Sequence, residues 1–185
     1  MKVFAKRFIA LLIAALIVLC STLLSVNLSL SNQFDKVTDG FYNGVLHNGN
    51  KEPSLHSQLL IVGKEASALA AVAERNGLSV TEFRDKADYF CRDVITMQDD
   101  ISYIYYCYQD LLDELMEVGQ ALTSLTLSAN DEAAAVKSLQ SIMDAQAMID
   151  ASGYNESVRQ YISSLPSLTV FFADLAGVDL PEYFA

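Results

Sequence analysis

FRDKADYFCRDVITMQDDISYIYYCYQDLLDELMEVGQALTSL, residues 83–125, decides the fold. Alternating steps of four and three residues pick out Phe83, Ala87, Phe90, Val94, Met97, Ile101, Ile104, Tyr108, Leu111, Leu115, Val118, Leu122 and Leu125, and none of these carries a charge. That alternation lays an apolar seam along one side of a helix, as bundle and coiled-coil packing require. Read as one helix, the stretch predicts a rod of roughly 63 Å, much longer than the average globular helix. A rod of that kind needs other helices along it to bury its seam.

Amphipathic partners lie on both sides. Phe34, Val37, Phe41 and Val45 recur at helical spacing and stop near Leu46, where HNGNKEP reads as a surface loop holding His47 and, just beyond it, His56. A second helix begins at Ser54 with Leu55, Leu59, Val62, Ala66, Leu69 and Ala73 on one face, and Arg75-Asn76-Gly77 supplies its stop. Ser79-Val80-Thr81-Glu82 fits a capping box, with Leu78 and Phe83 as a hydrophobic staple. Beyond Leu125, Ser128 to Glu132 reads as a turn and new cap. A last helix carries Val136, Leu139, Met143 and Ala147, then Tyr154, Val158, Tyr161 and Leu165, with Gly153 as its weak point. Low proline and glycine content (3 and 8) argues against turn-rich β architecture, so the predicted fold class is all-α: an antiparallel up-down bundle of long helices.

Hydrophobic residues make up 52% of the 185, and mean hydropathy is +0.25. Much of this comes from Phe8–Leu30, an uncharged run long enough to span about 30 Å of hydrocarbon. An uncleaved single-pass transmembrane anchor fits better than a cleaved signal peptide, whose apolar core would be shorter, and Leu19 before Cys20 does not suit a lipoprotein signal. Lys2, Lys6 and Arg7 precede the run and, by the positive-inside rule, hold residues 1–7 in the cytoplasm. The expected organisation is a cytoplasmic N-terminus at 1–7, an anchor at 8–30, an extracytoplasmic bundle domain at 31–177 and a tail at 178–185. Beyond the anchor, 9 basic residues stand against 23 acidic ones, a balance of −14 that repels nucleic acid and anionic headgroups and favours cations or basic partners.

Tyr154-Asn155, Val158, Tyr161, Leu165-Pro166, Ala176-Gly177 and Tyr183-Phe184 stand in the order of the C-terminal signature of the LemA family, which the chain resembles. Leucine at 165 replaces the usual phenylalanine before Pro166, and the family's Asp-Leu-Ile-Pro-Asn-Leu-Val type stretch is missing from the second helix, where the sequence reads SLHSQLLIVGKEASAL. The resemblance implies a membrane helix followed by a LemA-like four-helix bundle without known catalysis. Its motif positions here are Tyr154, Asn155, Val158, Tyr161, Pro166, Gly177, Tyr183 and Phe184.

Candidate chemistry is sparse. Asp99, Asp100, Asp110, Asp113, Glu114 and Glu117 crowd one helix, but the Glu-x-x-His motifs of di-metal bundles are missing and most of these acids fall off the seam, as on a solvated face. His47 and His56 have no ligand-spaced companions. Cys91 and Cys107, about 24 Å apart by helical rise on a single rod, read as inert thiols. No catalytic, metal or cofactor residues are assigned. The most unusual cluster is ISYIYYCYQDLL, in which Tyr103, Tyr105 and Tyr106 form a candidate contact patch for a protein partner, against a reading as bundle rim. The expected function is a membrane-anchored, non-catalytic interaction or envelope-scaffold module whose partner is another envelope or membrane protein. The alternative is an extracytoplasmic sensor-type ligand-binding bundle, its tyrosine cluster lining a small-molecule pocket, that works through a separate membrane partner.

Overall fold

The structure, a computed structural model, describes residues 2–44, 46, 47, 50, 51, 53–97, 100–166, 169, 173 and 180–185, with side chains described outside 2–12, 15, 26, 27, 29, 31–33, 46, 47, 50, 51 and 97. It is all-α. Helices α1 (Lys2–Asn43), α2 (Leu55–Arg75), α3 (Thr81–Tyr89), α4 (Ile95–Met97), α5 (Ile101–Thr123), α6 (Ala129–Ala151) and α7 (Tyr154–Ser164) are accompanied by a π-helical segment at Phe90–Val94. The only ladder among the described residues pairs β1 (Leu46–His47) with β2 (Asn50–Lys51), within the loop expected after α1. Packing divides the chain into two units, one of residues 1–38 with 158–181, the other of residues 39–157 with 182–185.

The larger unit is a helical bundle, but its central element is not a single rod. Lys86 on α3 pairs with Asp110 at 2.9 Å and with Glu114, both on α5, and the Tyr89 and Tyr103 hydroxyls lie 3.4 Å apart. Contacts between residues so placed about position 98 mean that the stretch folds back on itself as a helical hairpin. Asp100 ends the connection as the N-cap of α5, its carboxylate accepting the Tyr103 N–H at 2.7 Å. The expected rod of 83–125 is therefore corrected to two antiparallel arms. The seam survives the fold: Phe83, Ala87, Phe90, Val94, Ile101, Ile104, Tyr108, Leu111, Leu115, Val118 and Leu122 are all buried. Apolar period reports which face is covered, and a hairpin covers the same face that a rod would.

Folding back changes the composition of the bundle. His56 at the start of α2 meets the Ile95 carbonyl at 3.1 Å, and Arg75 at its end meets Asp131 at the start of α6 at 2.9 Å. Hence α2, the α3–α4 arm, α5 and α6 alternate in direction, up and down, around one core. The four bundle helices lie within 55–151, and the end of α1 adds Phe41, fully buried, to the same unit.

Local chemistry explains the boundaries. Ser54 caps α2, with Oγ accepting the Ser57 N–H at 3.0 Å. The helix ends in a Schellman motif: Leu78 N–H donates to Ala73 O and Gly77 N–H to Glu74 O, each at 3.0 Å, with Gly77 at φ +85°. The expected capping box at Ser79 is not made. Helix α3 starts one residue later, its N-cap is Val80 without a side-chain bond, and Glu82 falls one position short of the site the box requires. The Arg84–Glu74 ion pair at 2.7 Å ties down this entry instead. Ser128 caps α6, and Gly153, at φ +63°, breaks the final helix where the sequence predicted weakness.

The face of α6 also differs from expectation. Ala135, Ser138, Ile142, Ala145 and Ile149 are buried, while Val136 and Met143 are each 61% exposed. Helix α2 presents Ala66, Ala70 and Ala73, all buried, to its neighbours. An alanine face lets backbones approach closely where small residues oppose it, and Ala135, Ser138 and Ala145 supply them, with Ile142 and Ile149 filling the rest of the same buried face.

A similar close approach sets the π segment. A Cβ on Gly63 of α2 would strike Cys91 Sγ and come within 3.1 Å of Phe90 Cδ1. The widened turn carries an N–H of Ile95 to the Phe90 carbonyl, and the Thr96 hydroxyl donates to Cys91 O at 2.9 Å, satisfying the carbonyls that the π geometry displaces.

In the smaller unit, Leu30 of α1 and Val158 of α7 are buried, and the Tyr161 hydroxyl donates to Leu30 O at 3.5 Å. Upstream on α1, Ile13, Leu16, Ile17, Val18, Leu24 and Leu28 are exposed. Among the described residues, no helix is long and apolar enough to cross a membrane. The expected transmembrane span at 8–30 includes residues whose side chains are not described.

Candidate functional site

The most elaborate side-chain constellation in the larger unit surrounds its last four residues. Asn155, at the start of α7, donates from Nδ2 to Phe184 O and accepts the Phe184 N–H at Oδ1, each at 2.8 Å. Both ends of one carboxamide thus engage one residue's backbone, as a neighbouring strand would. The Tyr154 hydroxyl donates to Glu182 O at 3.1 Å, and the Ser102 N–H donates to Glu182 Oε2 at 3.2 Å. Ser102 lies in the first turn of α5, where free N–H groups and the helix dipole favour a carboxylate.

Phe184 is 7% exposed and fills an aromatic socket. Its ring centroid lies 5.0 Å from Tyr105, edge-on at 83°, 5.8 Å from Tyr108 and 6.0 Å from Phe41, which in turn stands 5.5 Å from Tyr154. These are separations and tilts at which aromatic rings attract. Tyr183 faces outward between the two anchored residues. Burial pushes the Tyr154 hydroxyl well above the ordinary tyrosine range, and the Glu182 carboxylate adds to the effect. Burial also raises Tyr108, against a side-chain hydrogen bond with Gln146 that lowers it.

The three tyrosines of the expected contact patch do not act together. Tyr105 turns inward as one wall of the Phe184 socket, whereas Tyr106 is 68% exposed and Tyr103 lies against Tyr89. The hydrogen bond with Tyr89 raises Tyr103 first, and the Cys107 thiol adds to it. Of the LemA-like positions, Tyr154, Asn155 and Phe184 form the tail site, Val158 and Tyr161 lie in the smaller unit, Pro166 is exposed and Gly177 lies outside the described residues. The crowded acids have mundane places: Asp100 caps α5, Asp110 and Glu114 hold Lys86, Asp113 and Glu117 face solvent, and Asp99 lies outside the described residues. Cys20, Cys91 and Cys107 are free. Among the described residues, no three His, Cys, Asp or Glu side chains gather as a metal site would require.

Sequence reasoning missed Ser102 and the pairing of Asn155 with Phe184. The YN and YF pairs were visible, but nothing in spacing alone says that one grips the other. Fold and site together define a helical bundle that clasps a short peptide of its own chain. Compared with models of known families, with curated proteins and with solved structures, the chain matches none.

Proposed function

We propose that the chain is a single-pass membrane protein whose acidic, LemA-like bundle stands outside the cytoplasmic membrane as a non-catalytic interaction or scaffold module. The observation that carries this reading is the uncharged run Phe8–Leu30, whose described large apolar side chains Ile13, Leu16, Ile17, Val18, Leu24 and Leu28 are exposed along α1. An apolar surface of that extent needs a covering, and lipid is the covering that a run of this length fits. The three cations ahead of it support a cytoplasmic N-terminus. The test is fractionation of the full chain with an alkaline carbonate wash, together with reporter fusions at the C-terminus. Retention in the membrane pellet and activity of an export-dependent reporter are expected. Release by carbonate, or activity only of a cytoplasmic reporter, overturns the reading.

A sensor role has one observation in its favour, a groove of about 530 Å³ lined by residues that include Leu122, Leu125, Leu127, Ala135, Val136 and Leu139, with none of Tyr103, Tyr105 and Tyr106 in its lining. A small molecule bound there would raise the melting temperature of the bundle by mass action.

A further inference from the structure

We propose that the slot holding Glu182–Ala185 is a peptide-binding site that also accepts the same segment from a second copy of this chain. Three features of the contact are those of a receptor and its peptide. Asn155 clamps the backbone of Phe184 through both of its polar atoms, the socket of Phe41, Tyr105 and Tyr108 takes the Phe184 ring, and the first turn of α5 takes the Glu182 carboxylate through Ser102 N–H. Main-chain capture with alternate side chains sorted inward and outward is how extended peptides are read. Here Tyr183 points out and Phe184 in.

The second copy follows from how the chain divides. The described residues just before it, Leu180 and Pro181, group with the smaller unit, while residues 182–185 group with the larger one, so the occupant is a four-residue guest of that unit. Exchange of such a guest between identical chains recreates every contact it loses, and connectivity alone decides between the closed and the swapped form. Tethering favours the chain's own segment through effective concentration, and confinement of many copies to one membrane raises the competing concentration. The inference deepens the interaction role proposed above by naming the partner, and rests on it only for that confinement.

The test uses the full chain in detergent micelles and a fluorescent peptide of residues 180–185, LPEYFA. A Phe184→Ala chain, whose own segment no longer fills the socket, is expected to bind the peptide saturably. Binding should weaken by about tenfold or more with wild-type chain, with the Phe184→Ala/Asn155→Ala chain, and with a peptide carrying alanine in place of Phe184. In a second arm, an affinity-tagged Phe184→Ala chain is expected to retain an untagged Asn155→Ala chain and not an untagged Asn155→Ala/Phe184→Ala chain. If the Phe184→Ala chain does not melt cooperatively, added LPEYFA should restore a cooperative melt. Absence of peptide binding by a folded acceptor, absence of rescue of an unfolded one, or equal retention of both untagged chains overturns the inference. None of these readouts depends on membrane insertion, so failure here is distinguishable from failure of the anchor.

Discussion

The Asn155 carboxamide and the Phe184 backbone exchange two hydrogen bonds, each 2.8 Å long. Alanine at 155 removes both and leaves the peptide groups of a buried residue unpaired, a loss of about 1–3 kcal/mol. Aspartate keeps the acceptor, loses the donor and sets a carboxylate against the Phe184 carbonyl, so it should be no milder. Urea denaturation checks both, with the midpoint lowered and the slope unchanged.

Phe184→Ala empties the aromatic socket. Truncations of buried phenylalanine cost about 3–5 kcal/mol when the site cannot collapse. The walls come from α1, α5 and α7 and cannot all close on the void, so a value in the lower half of that range is expected. Phe184→Leu should recover more than half of it, as read by thermal melts of the two variants.

Gly63→Ala forces a methyl against Cys91 Sγ and the Phe90 ring. Overpacking of this kind costs about 1–3 kcal/mol. Removing the obstructing sulfur should relieve it, so Gly63→Ala/Cys91→Ala is expected to lose less stability than the sum of the two single changes. A double-mutant cycle measures the coupling.

Two groups give stability a pH dependence at opposite ends. Arg75, then Ser128 and Asn76, hold the Asp131 carboxyl below the ordinary range, so its contribution is present above the unfolded value of about 3.9 and is lost as pH falls through the lowered native value. Burial raises Tyr154, so the contribution of its neutral hydroxyl is full below about pH 10 and is lost as pH rises through the raised native value. Asp131→Asn should flatten the acid limb and Tyr154→Phe the alkaline one. Stability measured against pH for the three proteins decides this.

Much of the interior was legible because burial has a period. The described seam positions from Phe83 to Leu122 are buried as expected, α2 starts near Ser54 as expected, and the stop at Gly77 and the break at Gly153 fall where the sequence places them. The rod was not, because a hairpin between two arms of one seam leaves the alternation intact. The turn is carried by Asp100, a residue that reads equally well as a solvated acid in mid-helix. The buried face of α6 lies one position from the expected one: Ala135 and Ser138 oppose the alanine face of α2 in place of Val136 and Leu139, and Ile142 is buried in place of Met143. At the tail site the residue types were visible and their union was not, since the distance in sequence from Asn155 to Phe184 is bridged only by tertiary structure.

The contact between Phe41 and Phe184, 6.0 Å between ring centroids, has a topological consequence. These residues lie near the two extremes of the larger unit along the chain, so the contact joins its first and last segments. Thr126, between α5 and α6, is exposed and caps neither helix, so a chain break placed there need not disturb a helix. A chain lacking residues 182–185 would keep the seam covered and leave the aromatic socket of Phe41, Tyr105 and Tyr108 vacant.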